Sequence, residues 1–498
     1  MAWNVDKNVW LLRSEDLVEQ GFSLAAMFAN DERQQRGAFA VYAVFAKAGE
    51  WEIMRTLCRP GDEKFPSMAV ALPAAAWYER EIHDLFGLVP EGHPDLRPLV
   101  LHECFAQGHH PLRKDSASES GEKGEMLSYP MSSVSGPGVF QVPVGPIHAG
   151  IIEPGHFRFS QAGEEILQLD ARLFYTHRGI EKGLEGQTIA RAAFIVERIC
   201  GACSVSHALS FAQAVEKLTA TPVPPTARYL RIVAAELERI YNHVGDVGNL
   251  CAGVGLAVGV SLGSRLKEML QRLNGRLCGN RFLRGWVVPG GVSFDLTLER
   301  QKDMEETLCA VAAEFEILAT MLQEMESFTD RVEKTGILTR QAVADLCIVG
   351  VAARAAGVPV DERRDHPYSA YDEMDFTVAL QESGDVAARL WVRVDEVRES
   401  LRLIQQATAL LLPLERHLRN PLGKMKPFTT ALGWSESARG SNLHWIMAGE
   451  NETIYRYVVR SASYPNWPAL SVAAPGNIIP DFPLINKSFE LCYGCLDR

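Results

Sequence analysis

Two stretches of this sequence place thiols at a spacing that can do chemistry. "RICGACSVSH" holds Cys200 and Cys203 as a C-x-x-C pair, with His207 one helical turn further on. "ELCYGCLDR" holds a second pair, Cys492 and Cys495, within Glu490–Arg498. A fraying tail has little use for two thiols, so the rest of the fold is expected to hold this one down. Three kinds of site use such pairs. Two C-x-x-C pairs can form a structural zinc site, but zinc modules are usually local, and these pairs stand at 200–203 and 492–495. A redox dithiol calls for a thioredoxin-like β-α-β context, which neither flank offers. The third kind is one catalytic metal centre where both pairs meet in the core. Four soft thiolates suit nickel, iron or zinc, so the residue types leave the metal open.

The chain has ten cysteines. Those outside the pairs, Cys58, Cys104, Cys251, Cys278, Cys309 and Cys347, are dispersed singly and read as small hydrophobes. The N-terminus, "MAWNVDKNVWLLRSEDL", has acids where an export signal carries basic residues and then an apolar run, so no export is expected and the thiols are expected to be reduced. A net charge of −12 over 498 residues, with no Lys/Arg-rich run to offset it, argues against a nucleic-acid partner.

The elements that must position these thiols fall into three expected parts. Residues 1–114 mix short apolar runs ("FAVYAVFA", "MAVALPAAAW") with helical signals ("YEREIHDLFG") and read as a small α+β domain. Residues 115–138, rich in Ser, Gly and charge, read as a linker. Residues 139–498 open on a short strand-like section and continue into long helical patterns such as "ARYLRIVAAELERIYNHVGDVG" and "ERQKDMEETLCAVAAEFEILATMLQEM". The fold class expected is mainly α, a helical bundle with a small β portion, preceded by the α+β domain. The charge-free stretch Val247–Ser264 comes nearest to a membrane span, but glycines at 248, 253, 255, 259 and 263 make a closely packed buried segment the better reading.

The flanks of the thiols carry a resemblance. "RICGACSVSH" is similar to the first cysteine motif of nickel–iron hydrogenase large subunits, R-x-C-G-x-C-x-x-x-H. "CYGCLDR" resembles the second motif, in the variant where Arg replaces the usual final His. That variant belongs to the membrane-associated, energy-converting hydrogenases, formate hydrogenlyase included. "FPSMAVALPAAAWYEREIHDLFGLVPEGHPDLRPLVL" and "HPLRKD" resemble the small peripheral-arm subunit of respiratory complex I, here fused in front. "GPIHAGIIEPGHFRF", "HRGIEK", "ELERIYNHVGDVG", "GNRFLRGWVVPGG" and "RRDHPYSAY" resemble the quinone-site subunit of complex I and its hydrogenase relatives. The rival within the same resemblance is a nickel-free, complex I-like quinone-site subunit. It lacks the four cysteines that this chain has at family spacing.

Carried over by position, the resemblance implies that Cys200 and Cys492 are terminal nickel ligands and that Cys203 and Cys495 bridge nickel and iron. In the family the iron carries cyanide and carbon monoxide installed by maturation proteins. Cys492 can accept the proton when dihydrogen splits, and Glu153 of "IIEPGHFRF" matches the glutamate that takes it onward. His207, which in the family lies near a bridging cysteine, is read as supporting the metal site; a core histidine with one hydrogen bond is the plainer alternative. Arg439, in "WSESARGSNLHW", matches the arginine that overhangs the metals, with Ala438 where relatives have Pro; a surface pair with Glu436 is the plainer alternative. Glu490 and Leu491 replace the usual Asp-Pro.

The implied activity is reversible conversion of dihydrogen to protons and electrons, working toward hydrogen evolution. The implied partners are a small iron–sulfur subunit carrying the clusters, a ferredoxin-like subunit, and complex I-like membrane-arm subunits that hold the chain peripherally at the cytoplasmic face of the membrane. Many relatives hold magnesium between a glutamate, here Glu181, and the final His. Arg498 cannot ligate a cation, so magnesium is not expected. A buried bidentate pair between Arg498 and Glu181 is expected instead, with Arg498 at the trimmed end of a mature chain.

Overall fold

The computed structural model describes residues 2–106, 108–116, 128–148, 152–411 and 416–498. Residues 117–127 of the expected linker lie outside the described residues, and 128–138 carry no helix or strand.

The front part is built on a sheet in which the strand Ala38–Lys47 sits between Ser23–Glu32 and Glu50–Cys58, with a short parallel strand, Trp3–Asn4, at the edge. The central strand is apolar without alternation because both of its faces are covered. Phe39, Val41, Ala43 and Phe45 pack with Trp10 and with Ile82 and Leu85 of the helix Ala75–Phe86. Ala40, Tyr42 and Val44 turn the other way, toward Leu443, Trp445 and Met447.

Those last residues belong to a meander of three antiparallel strands, Thr430–Ser437, Gly440–Ala448 and Ile454–Arg460. Helix makes up 45% of the chain and strand 19%, so the fold is mixed α/β rather than the mainly α bundle expected. The meander is the main reason. Every residue of Gly440–Ala448 is buried, which removes the polar–apolar alternation that betrays a half-exposed strand. A further three-stranded sheet, Val139–Val144, His156–Ala162 and Glu165–Arg172, forms where the sequence reads as strand-like.

The long helices Pro225–Gly253, Ala257–Cys278, Leu298–Glu324 and Val386–Leu411 pack side by side behind the meander. The Gly-rich stretch is the end of the first, a turn, and the start of the second. A Cβ on Gly263 would lie 2.5 Å from Gly248 Cα, so the two backbones touch there. None of the described helices is long and apolar enough to cross a membrane.

The helix Ser204–Thr219, which follows the first cysteine pair, lies against the meander through Phe211, Ala214 and Val215, facing Ile446, Tyr457 and Val459. Its approach depends on Gly433, where a Cβ would sit 1.9 Å from the Ser210 carbonyl oxygen. Gly433→Ala is expected to lower stability by about 1–3 kcal/mol through overpacking, read as a fall in the denaturation midpoint. An unchanged midpoint would show that the helix can retreat freely.

Candidate metal centre

The first thiol pair sits in a short loop. Arg198–Cys200 follow the helix Ile189–Val196, and Cys203 is the N-cap of Ser204–Thr219. One face of the helix Pro225–Gly253 pins this loop. Asn242 Nδ2 donates to Ala202 O at 2.7 Å, and the Tyr241 hydroxyl donates to Gly201 O at 3.3 Å. Glu238 accepts from the Val205 and Ser206 amides at 2.6 and 3.0 Å. A carboxylate there satisfies the free N–H groups of the helix start; burial nevertheless lifts its pKa to about 7.

The second pair is held as firmly. Cys492 caps the short helix Tyr493–Asp497, its Sγ accepting the Cys495 amide at 3.3 Å. Ser463 Oγ accepts from the Cys492 amide at 3.0 Å, and Ser461 Oγ donates to Cys495 O at 2.9 Å. Arg178 joins the two loops, because its Nη2 donates to both Ile199 O and Gly494 O at 2.7 Å. The tail is thus ordered and its thiols are not at a frayed end.

The four sulfurs meet among Leu184, Ala192, Val196, Ile199 and Phe211. Cys200 Sγ lies 3.1 Å from Cys492 Sγ, and the sulfurs of Cys200, Cys203 and Cys495 all lie within 4.8 Å of one another. Hydrogen bonds from Cys203, Cys492 and Cys495 hold the Cys200 thiol well below the usual thiol range. Sharing that charge, each of the other three is pushed up. A buried set of four sulfurs that can carry little negative charge alone is well matched to a soft cation, whose charge releases all four protons.

His207 contacts this cluster. Its Nε2 is 3.5 Å from Cys495 Sγ, its Nδ1 is 3.0 Å from His444 Nε2, and His444 Nδ1 is 2.9 Å from the Tyr457 hydroxyl. Burial lowers the His207 pKa to about 4 and holds that of His444 well below the usual histidine range, so both rings are neutral and each offers one donor and one acceptor. A thiolate ligand has no proton to give. With metal bound, His207 Nε2–H must donate to Cys495, which sets the order of the chain back to a donating Tyr457 hydroxyl.

Arg439 is 7% exposed and forms a two-pronged ion pair with Asp246, Nη2 to Oδ1 measuring 2.9 Å. The alternative pairing with Glu436 does not occur; Glu436 binds Arg354 at 2.8 Å. Burial opposes the charge on Arg439, but Asp246, Glu490 and Cys203 hold its pKa above the ordinary range. Glu490 lies 3.8 Å away. Asp246 also faces Arg393 at 3.3 Å and His243 at 3.6 Å. Among the described residues, the buried Nε of Arg439 finds no acceptor.

Glu153 reaches the second loop from outside, its Oε2 accepting the Gly494 amide at 2.7 Å. Arg498 meets Glu181, as Nη1 to Oε1 at 3.3 Å, but not as the bidentate pair expected. Its other nitrogen binds Glu81, and the second Glu181 oxygen is occupied by Arg456 at 2.8 Å. Asp246, Arg178, His444 and Tyr457 were not among the residues singled out from sequence. Asp246 left one signal: it stands in "ELERIYNHVGDVG", one of the stretches that carry the resemblance.

The chain is 34% identical over 486 residues to hydrogenase-4 component G of Escherichia coli, covering 95% of this chain and 84% of that protein. It is 34% identical over 500 residues to formate hydrogenlyase subunit 5 of the same organism, covering 96% and 85%. It belongs to their family. The carbon monoxide-induced hydrogenase of Rhodospirillum rubrum is 31% identical over 364 residues, covering 72% of this chain and 99% of that protein.

Within this hydrogenase family chain, residues 178–252 match the model for nickel-dependent hydrogenases. Residues 254–427 and 420–498 match the 49 Kd subunit of respiratory-chain NADH dehydrogenase, and residues 5–122 match its 30 Kd subunit. The nickel-dependent match carries Cys200, Cys203, His207 and Asp246. The second thiol pair falls in the 49 Kd match.

Proposed function

We propose that this chain is the catalytic subunit of a nickel–iron hydrogenase, converting dihydrogen reversibly to two protons and two electrons. The observation that carries the reading is the meeting of Cys200, Cys203, Cys492 and Cys495 in one largely buried cluster, with Cys203 near enough to Arg439 to favour its charge. The nickel–iron centre, with cyanide and carbon monoxide on iron, supplies the redox-active Lewis acid that polarises dihydrogen. Cys200 and Cys492 would hold nickel, and Cys203 and Cys495 would be shared by nickel and iron. Cys492 Sγ takes up the proton, and the carboxylate of Glu153, bound to the amide two residues further on, passes it outward. Arg439 presents fixed donors over the site, while His207 steadies Cys495.

The remaining cysteines are dispersed, so the iron–sulfur clusters belong to a partner subunit. The relatives that share both front and rear parts support a peripheral, cytoplasmic position on complex I-like membrane-arm subunits, with a ferredoxin-like subunit in the relay and maturation proteins delivering the metals. Proton reduction is the proposed working direction. The nickel-free complex I-like alternative is disfavoured because a quinone-site role gives no use for four converging thiols.

Metal analysis and an infrared spectrum of the purified complex test the reading. Nickel, with iron in excess of it from the partner's clusters, and cyanide and carbonyl stretches are expected. Zinc alone would overturn it.

A further inference from the structure

We propose that Glu81, in the front part of the chain, is a positioning residue for the metal centre: its carboxylate is the second counter-charge that lets Arg498 stay buried behind the second cysteine pair. What the tail closes over rests on the hydrogenase reading; the contact does not.

Arg498 is three residues beyond Cys495, and its side chain is 5% exposed. Nη1 donates to Val459 O at 2.8 Å and faces Glu181 at 3.3 Å. Glu181 is already engaged, accepting the Val459 amide at 3.0 Å and binding Arg456, whose side chain is 2% exposed. Two buried guanidiniums on one carboxylate would leave a net positive charge in the core. Neighbouring His177 adds none, since burial and Arg498 lower its pKa to about 4. Glu81 completes the balance at 2.6 Å from Arg498 Nη2, giving two cations and two anions. Burial pushes its carboxyl above the usual range and Arg498 opposes that shift, so its charge depends on the guanidinium staying in place.

The helix Ala75–Phe86 is shaped for this contact. Tyr78, on the same face as Glu81, stacks on Tyr464 at 4.8 Å, and Arg498 lies over that ring at 5.0 Å. The tail cannot move to compensate. Asp497 is fixed by the Thr176 amide at 2.9 Å, and Arg178 N donates to Arg498 O at 2.8 Å. The front part therefore braces the segment that carries Cys492 and Cys495.

Glu81→Gln keeps the size and removes the charge. In the assembled complex it is expected to speed both amide hydrogen exchange at 492–498 and nickel loss to a chelator by about tenfold or more, because an unpaired buried charge loosens what surrounds it. Glu81→Asp is expected to fall between Gln and wild type. The control is Glu32→Gln, which removes another buried front-part carboxylate that binds Arg36 and Tyr42 and does not touch the tail. It is expected to lower stability without changing either rate. Wild-type rates in Glu81→Gln, or equal acceleration by Glu32→Gln, would overturn the proposal. A wild-type complex without nickel would overturn the hydrogenase reading instead, and the exchange rates would still decide for Glu81.

Discussion

Arg439→Lys is expected to leave nickel in place and to lower hydrogen turnover per nickel by about a hundredfold or more, the loss seen when one fixed donor is removed from a buried reacting site. A guanidinium binds both Asp246 oxygens at once and still has an N–H to spare. An ammonium keeps the charge that Asp246 requires but cannot span the carboxylate and keep a donor at the same place. Charge neutrality in the core is preserved, so the fold and the thiol cluster should survive. Turnover, nickel content and denaturation midpoint need to be measured together. A lowered midpoint with wild-type turnover per nickel would reduce Arg439 to a structural ion pair.

Glu153→Gln is expected to retain the metals and to lose most hydrogen turnover and deuterium exchange, on the order of the 10²–10⁴-fold that a positioned proton-transfer group supplies. The substitution separates two roles. As a structural cap, Glu153 needs only an oxygen to accept the Gly494 amide, and the glutamine amide oxygen provides one. As a relay it needs a carboxylate that can be protonated, which glutamine does not have. Wild-type exchange in the variant would leave Glu153 as a cap and discard it as the relay.

Much of the candidate centre was legible because its thiols come in short local motifs. A C-x-x-C at a helix start brings two sulfurs together whatever the rest of the chain does, and His207 follows one turn later on the same helix. The meander was not legible, because a strand buried on both faces has no period to read. Glu181 and Arg498 could be paired from sequence as opposite charges in two matching motifs. That Arg456 already holds one side of Glu181, and that Arg498 must therefore divide itself, could not.

The residue types and their spacing thus determined the donor set, the family, and the absence of a local home for either thiol pair. They did so because sulfur chemistry and helix periodicity act over a few residues. Only the tertiary structure decided what surrounds those sulfurs. Asp246 reaches Arg439 from a helix, His444 and Tyr457 back His207 from a sheet, and Glu81 reaches Arg498 from the front part of the chain. Each is a buried polar group whose cost is met largely by partners on other elements of the fold, and pairing of that kind leaves no periodic trace along the chain.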